Sequence, residues 1–246
     1  MAENIALTLE YDGTDYFGWQ IQSQESTIQG VLQKAIEKLT GERVHLAASG
    51  RTDSGVHALG QVANFKTEAD LRPDEILRAL NSLLPRDIAV KRAEAMAEDF
   101  HAQYSARLKS YKYVVLNRPV PSPLLRRFSW HVRYPLKIPP MQEAALYLVG
   151  THNFSAFRRA EGDDERNPTR TVSQLTVGQT GDTVEIRIEA DGFLRFMVRS
   201  IAGALVEVGK GKMKPLRVKE ILDSKDRKKA PPTAPARGLF LVEVQY

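Results

Sequence analysis

The segment Gly50-Arg51-Thr52-Asp53-Ser54-Gly55-Val56-His57-Ala58 gathers the residue types most able to do chemistry. Glycines on both sides let the backbone turn sharply and approach a substrate closely. Asp53 stands at its centre, two residues from Arg51, and a nearby cation favours the charged form of a carboxylate. Such a carboxylate serves as a nucleophile or stabilises a cationic sugar transition state. The same residues also describe a glycine-rich turn that its Asp merely shapes. The loop alone leaves both readings open. Asp-Ser-Gly also occurs in aspartic proteases, but those enzymes need a second carboxylate to share a proton, and no second Asp-Thr-Gly or Asp-Ser-Gly is present. Glycoside hydrolysis usually needs two carboxylates a few ångströms apart, and only one lies in a loop of this character. A phosphate-binding P-loop would end in Gly-Lys-Ser/Thr, which is missing. His57, His101 and His152 are scattered, without a His-x-x-x-His pair, and read as core or hydrogen-bonding histidines. No metal site is expected.

Composition narrows the field further. Of 246 residues, 26% are charged and 42% hydrophobic, ordinary for a globular protein and enough for one large core or two small ones. No apolar run approaches the roughly 18 residues that span a bilayer. The opening MAENIALTLEY has an early Glu and passes directly into alternation, unlike a signal or transit peptide. A cytoplasmic location is the expectation. Cysteine is absent, which excludes disulfides, Cys-based zinc sites and thiol catalysis. The formal net charge of +5 favours a polyanionic partner. The basic residues are clustered: Arg107, Lys109 and Lys112; the pairs Arg126–Arg127 and Arg158–Arg159; Lys210, Lys212 and Lys214; and Lys225, Arg227, Lys228 and Lys229. Any one cluster reads as a solvated face. Five in one chain point to phosphate contacts.

The elements that must position these residues follow from periodicity. Ile5 to Tyr11 alternates as a half-buried strand. Ser26 and Gln29 stand in capping-box spacing before an apolar stripe of Ile28, Val31, Leu32, Ala35, Ile36 and Leu39, closed by Gly41. Short strands are expected at Val44–Ser49 and Leu59–Phe65, with the Asp53 loop between them. Pro73 opens a second helix whose buried side is Ile76, Leu77, Leu80, Leu83 and Leu84, and Asp87 to Ala93 closes the series. The order is β-α-β-β-α-β. The second half repeats it: a strand at Lys109–Leu116, a helix at Met141–Val149, and a hairpin of Val172–Gly178 and Val184–Ala190. An apolar helix at Phe193–Val208, an extra helix at Val218–Asp223 and a closing strand at Gly238–Tyr246 follow. The fold class expected is α+β, with two ferredoxin-like units of antiparallel sheet, residues 1–104 and 105–246, and the active-site cleft between them.

The Gly50–Ala58 segment resembles the active-site motif of the TruA family of tRNA pseudouridine synthases. Tyr11-Asp-Gly-Thr-Asp-Tyr-Phe-Gly-Trp-Gln20 is similar to that family's opening segment. Further similar blocks are Leu80–Pro85, Phe100–Ala106, Arg107–Tyr113, Gly150–Arg158, Phe196–Gly203 and Ala234–Leu239, in the family's order. One departure stands out: Arg159 to Arg170 is acidic and polar where many relatives carry a Cys-containing stretch.

The resemblance implies a pseudouridine-synthase fold and the isomerisation of uridine to pseudouridine at positions 38, 39 and 40 of the tRNA anticodon arm. It implies no cofactor, no metal required for the chemistry, and a homodimer. Asp53 matches the catalytic Asp, attacking either C1′ of the ribose or C6 of the uracil. Tyr111 matches the active-site Tyr, which would stack on the extruded base and assist proton removal at C5; by pattern it is a strand aromatic. Arg199 matches the Arg of the apolar helix. A guanidinium amid Phe196, Met197, Val198, Ile201 and Leu205 needs a carboxylate partner or a path to solvent, and Asp53 is the candidate partner. Leu239 matches the wall of the uracil pocket. Arg51 and Arg158 are expected substrate contacts. A non-catalytic RNA-binding protein on the same scaffold is the alternative.

Overall fold

A computed structural model describes residues 2–159 and 167–246. The chain divides into two compact units, Met1–Arg107 with Leu241–Tyr246, and Leu108–Phe240. Helices and mainly antiparallel strands together give the mixed α+β class expected.

In the first unit, β1 (Glu3–Tyr11) lies between β3 (His57–Thr67) and β4 (Ile88–Met96), antiparallel to both. Alternation puts Ile5, Leu7 and Leu9 on one face, all fully buried. The two helices are α1 (Ile28–Thr40) and α2 (Pro73–Leu83). α1 buries Ile28, Leu32 and Ile36 and stops at Gly41, whose φ of 74° is the left-handed conformation glycine takes without strain. Its N-terminal cap is Thr27, which accepts the Gly30 amide. This corrects the capping box read at Ser26 by one residue. α2 begins at Pro73 as expected and buries Ile76 and Leu80. The strand anticipated at Val44–Ser49 shrinks to β2 (Ala47–Ala48), paired with Ala63 and Asn64 of β3. The end of β10 (Leu239–Gln245) joins this sheet beside β3. There Gly60 lies so close that a Cβ would stand 2.5 Å from the Val242 carbonyl oxygen.

The second unit orders its strands β5 (Leu108–Asn117), β9 (Thr183–Ala190), β8 (Thr169–Thr180) and β7 (Gly150–Asn153). The expected hairpin is β8 and β9, turning at Gly181 with φ 56°. Two short strands escaped the sequence reading: β6 (Trp130–Val132), parallel to β5, and β7. Three helices complete the unit: α3 (Ile138–Leu146), α4 (Met197–Gly209) and α5 (Pro215–Ser224). α4 starts four residues later than its apolar pattern suggests. Phe196 caps it in a left-handed conformation, φ 63°, that a non-glycine side chain rarely takes. Gly209 packs α4 against Met141 of α3, where a Cβ would be 2.5 Å from the thioether sulfur. Among the described residues no helix is long and apolar enough to cross a membrane.

Candidate active site

The Asp53 loop leaves β2 and enters β3, and the strand register fixes what lies beside it. Tyr11 pairs with Ala58, so the segment following β1 runs next to the loop. Contacts of the two segments then alternate along their length. The Trp19 amide donates to the Thr52 carbonyl at 3.0 Å and the Gly55 amide to the Tyr16 carbonyl at 3.3 Å. Ser54 Oγ also donates to the Tyr16 carbonyl, at 3.2 Å. Tyr11 Oη and Thr52 Oγ1 share a hydrogen bond of 2.8 Å. Burial pushes the Tyr11 phenol up to about 12, against the smaller opposing pull of its hydrogen bonds to Thr52 and Gln61.

Gly13 and Gly18 make this crossing possible. A Cβ on Gly13 would lie 1.9 Å from the Val56 carbonyl oxygen, inside any tolerable contact. Behind them, Gly13 donates its amide to Nδ1 of buried His57 at 3.1 Å. Asp12 Oδ1 is also 3.1 Å from that nitrogen. Nδ1 has one lone pair or one proton, so it cannot serve both at once; the Asp12 oxygen also accepts from the amide and hydroxyl of Thr14. At the loop's start, fully buried Gln61 donates to the Gly50 carbonyl at 2.8 Å and accepts from Ser49 Oγ at 2.6 Å. Within the loop, the Val56 amide donates to the Asp53 carbonyl at 3.1 Å, closing a turn around Gly55 at φ 74°. Thr52 is buried, Asp53 half-buried and Arg51 exposed. The result is a carboxylate on a tight turn with its backbone bonded on both sides.

In the second unit, Tyr111 is a buried residue of β5 paired with Ile188. Its ring meets Phe193 edge-on, centroids 4.9 Å apart. Tyr113, two residues on and so on the same face, donates to the Pro235 carbonyl at 2.7 Å. Burial pushes its phenol well above the usual tyrosine range. Arg199 lies in the first turn of α4, half-buried, with Nε donating to the Ala234 carbonyl at 2.9 Å. Its guanidinium carbon stands 4.7 Å from the centre of the Phe196 ring, which Arg195 and Arg159 approach at 5.3 and 5.5 Å. The Arg159 amide donates to the Arg195 carbonyl, so the stretch carrying Arg158 is tied to the start of α4. Leu239 is buried at the start of β10. Just before it, Gly238 faces Tyr113, whose ring would stand 2.7 Å from a Cβ.

His57 is the buried, hydrogen-bonding histidine expected of it; sequence reasoning missed Gln61 as a clamp and Phe196 as a point where three guanidiniums converge. The left-handed backbone of Phe196 leaves no sequence signature, because glycine or asparagine is the usual sign of it. The basic clusters also divide. Lys210 is bound to Glu207 at 2.8 Å, and burial, then the charge of Arg170, holds the Lys109 amine below its usual range. Lys212, Lys214, Lys225, Lys228 and Lys229 are exposed. The departure at Arg159 to Arg170 lies, for residues 160–166, outside the described residues. A cavity of about 630 Å³ lined by Glu207, Lys212, Lys214 and Arg217 includes none of the expected site residues.

A base-modifying isomerase is the class that the comparisons define. A family model described as tRNA pseudouridine synthase matches residues 8–105 and 144–246, which include Asp53, Arg199 and Leu239. Tyr111 falls between the two matched stretches. The chain belongs to this family and is an isomerase acting on tRNA. It is 51% identical over 243 residues to tRNA pseudouridine synthase A of Thermoanaerobacter sp. (strain X514), covering 99% of each chain. The synthase A of Acetivibrio thermocellus is 46% identical over 243 residues, again with 99% of each chain covered. That of Moorella thermoacetica is 46% identical over 244 residues, 98% of this chain and 99% of its own. A solved Cbf5-Nop10-Gar1 complex aligns with 82% of this chain and 54% of its own at 16% identity, with a TM-score of 0.33, too low to read a fold from.

Proposed function

We propose that the protein converts uridine to pseudouridine at positions 38, 39 and 40 of the tRNA anticodon stem-loop, with Asp53 as the nucleophile and no cofactor. The observation that carries this reading is the Gly50–Ala58 turn. Its backbone is bonded to the Tyr16–Trp19 segment and to Gln61 while the Asp53 side chain stays half-buried. A fixed backbone gives a nucleophile a defined direction of attack. The reaction breaks the bond from N1 to C1′ and forms one from C5 to C1′. The proton lost from C5 is balanced by one gained at N1, so no oxidant, reductant or second substrate is consumed.

The remaining roles follow the family motif. Tyr111 stacks on the base and assists removal of the C5 proton. Arg199 pairs with the Asp53 carboxylate, and Leu239 walls the uracil. Arg51 and Arg158 bind the RNA. The reading requires Asp53 of the first unit to reach the same nucleotide as Tyr111 and Arg199 of the second. It also requires the target base to leave its stack, at a cost of a few kcal/mol that phosphate contacts offset. Two ferredoxin-like units, a homodimer and a cytoplasmic location belong to the same reading.

Incubation with unmodified tRNA, with no cofactor added and pseudouridine mapped base by base, tests it. Wild type should modify the anticodon arm, whereas Asp53→Asn should bind tRNA and leave it unmodified. An active Asn variant removes Asp53 as nucleophile.

A further inference from the structure

The basic run Lys225–Lys229 holds residues in two different situations. Lys225, Lys228 and Lys229 are exposed, as phosphate-binding side chains should be. Arg227 is turned inward. Its Nη1 donates to the carbonyls of Ala230 and Pro231, both at 3.2 Å, and its Nη2 to Thr233 Oγ1 at 2.9 Å. Burial lowers its pKa below the usual guanidinium value, as expected of a cation drawn out of solvent onto neutral acceptors. A planar fork with several donors suits this gathering of carbonyls; a lysine would not match it.

The segment it gathers, residues 230–238, contains Pro231, Pro232 and Pro235, which have no amide to donate. It is held by other parts of the unit. Gly203 of α4 lies so close to the strap that a Cβ would stand 2.4 Å from the Pro232 carbonyl oxygen. Ser200 Oγ is 3.4 Å from Thr233 Oγ1. Tyr113 Oη grips the Pro235 carbonyl at the far end. Between these fixed points sits Ala234. Its amide donates to the Arg199 carbonyl at 3.1 Å, and its own carbonyl accepts from Arg199 Nε at 2.9 Å.

We propose that Arg227 is a positioning residue for the isomerisation: it fixes the strap so that the Ala234 carbonyl holds the Arg199 guanidinium in its working orientation. The proposal rests on the reading of Arg199 as a site residue given above. With Nε committed to Ala234, the rotation of the side chain is set and the two Nη groups face a single direction. Those are the donors that pair with a carboxylate through parallel bonds. Releasing the strap at Arg227 frees Thr233, and with it the carbonyl one residue on. Displacements on the order of 1 Å in a positioned group cost about 100-fold in rate.

The test uses the full chain and unmodified tRNA at saturation, with single-turnover rate and tRNA affinity measured separately. Arg227→Ala should lower the rate by about 10- to 100-fold while leaving affinity and its salt dependence as in wild type. Arg227→Lys should recover part of the rate. Combined with Arg199→Lys, Arg227→Ala should slow the reaction no further than Arg199→Lys alone, because the one acts through the other. If Arg227→Ala does not fold, Thr233→Val removes the acceptor at the other end of the contact and should slow the rate in the same sense. An unchanged rate, or a fully additive double variant, overturns the proposal. So does a loss confined to affinity with a shallower salt slope, which would make Arg227 a phosphate contact. A fully active Arg199→Lys fells the reading of the site and this proposal with it. A slow Arg199→Lys beside a normal Arg227→Ala fells the positioning role alone.

Discussion

Gly18 lies against the backbone on both sides of Asp53: a Cβ on Gly18 would stand 2.6 Å from the Thr52 carbonyl oxygen and 3.0 Å from the Asp53 carbonyl carbon. The residue also sits at φ 86°, so any substitution combines a steric clash with a strained backbone. The neighbouring Trp19 amide bonds that same Thr52 carbonyl, which leaves the loop no easy way to recede. Gly18→Ala should therefore destabilise the protein by about 1–3 kcal/mol and also slow modification in the fraction that stays folded. Denaturant unfolding and single-turnover assays read the two effects separately. A loss of stability with an unaltered rate would mean that the loop tolerates the displacement.

The contact between Tyr11 and Thr52 predicts an alkaline weakness. Burial raises the Tyr11 phenol from 10.0 to about 12. The neutral form is the one the folded state favours, so its stabilisation is fully present below pH 10 and is lost as pH rises through about 12. Two pKa units correspond to about 3 kcal/mol at most. Burial also raises the phenols of Tyr16, Tyr113 and Tyr246, so wild type should lose stability steeply in this window. Tyr11→Phe should be weaker by about 1 kcal/mol at neutral pH, from the lost hydrogen bond, but decline less steeply with pH. Unfolding curves across the window compare the slopes; identical slopes would remove Tyr11 from the account.

Tyr111 separates stacking from proton transfer. Tyr111→Phe keeps the ring and its edge-on contact with Phe193, so tRNA affinity and folding should survive. If the hydroxyl assists removal of the C5 proton, the rate should fall by about 100- to 10,000-fold. Deuterium at C5 of the target uridine should then slow the variant more than wild type. A Phe variant at full rate would confine Tyr111 to stacking.

Salt response distinguishes the exposed lysines from the engaged ones. Replacing Lys225, Lys228 and Lys229 together with Gln should weaken tRNA binding and flatten its dependence on salt, by roughly 0.7–0.9 in logarithmic slope for each phosphate contact removed. Replacing Lys210, already paired with Glu207, should change the slope little. Equal effects at the two places would return all the basic residues to one undivided surface.

Much of the frame was legible because burial imposes a period on sequence. α1 and α2 announce themselves by apolar spacing, and Gly41 and Pro73 mark a stop and a start through backbone preferences that belong to those residues alone. The expected beginning of α4 falls too early because Phe193, Leu194 and Phe196 extend the apolar pattern beyond the helix, while the left-handed backbone of Phe196 stops the helix from reaching back past Met197. β6 and β7 are too short to carry a period, and only their pairing with β5 and β8 makes them strands.

The Asp53 motif, the family and the isomerase activity on tRNA were all readable from the order of residues, since a turn's glycines and a family's blocks are local features. What holds that turn is not local. Thr52 on Trp19, His57 on Gly13 and Gln61 on Gly50 are hydrogen bonds between residues 11 to 44 positions apart. Each depends on a distance and an angle that no spacing encodes. Sequence determined that a carboxylate would stand on a glycine-flanked turn. Tertiary structure alone decided which backbone crosses behind it, and which residue of a basic run turns inward to hold a strap.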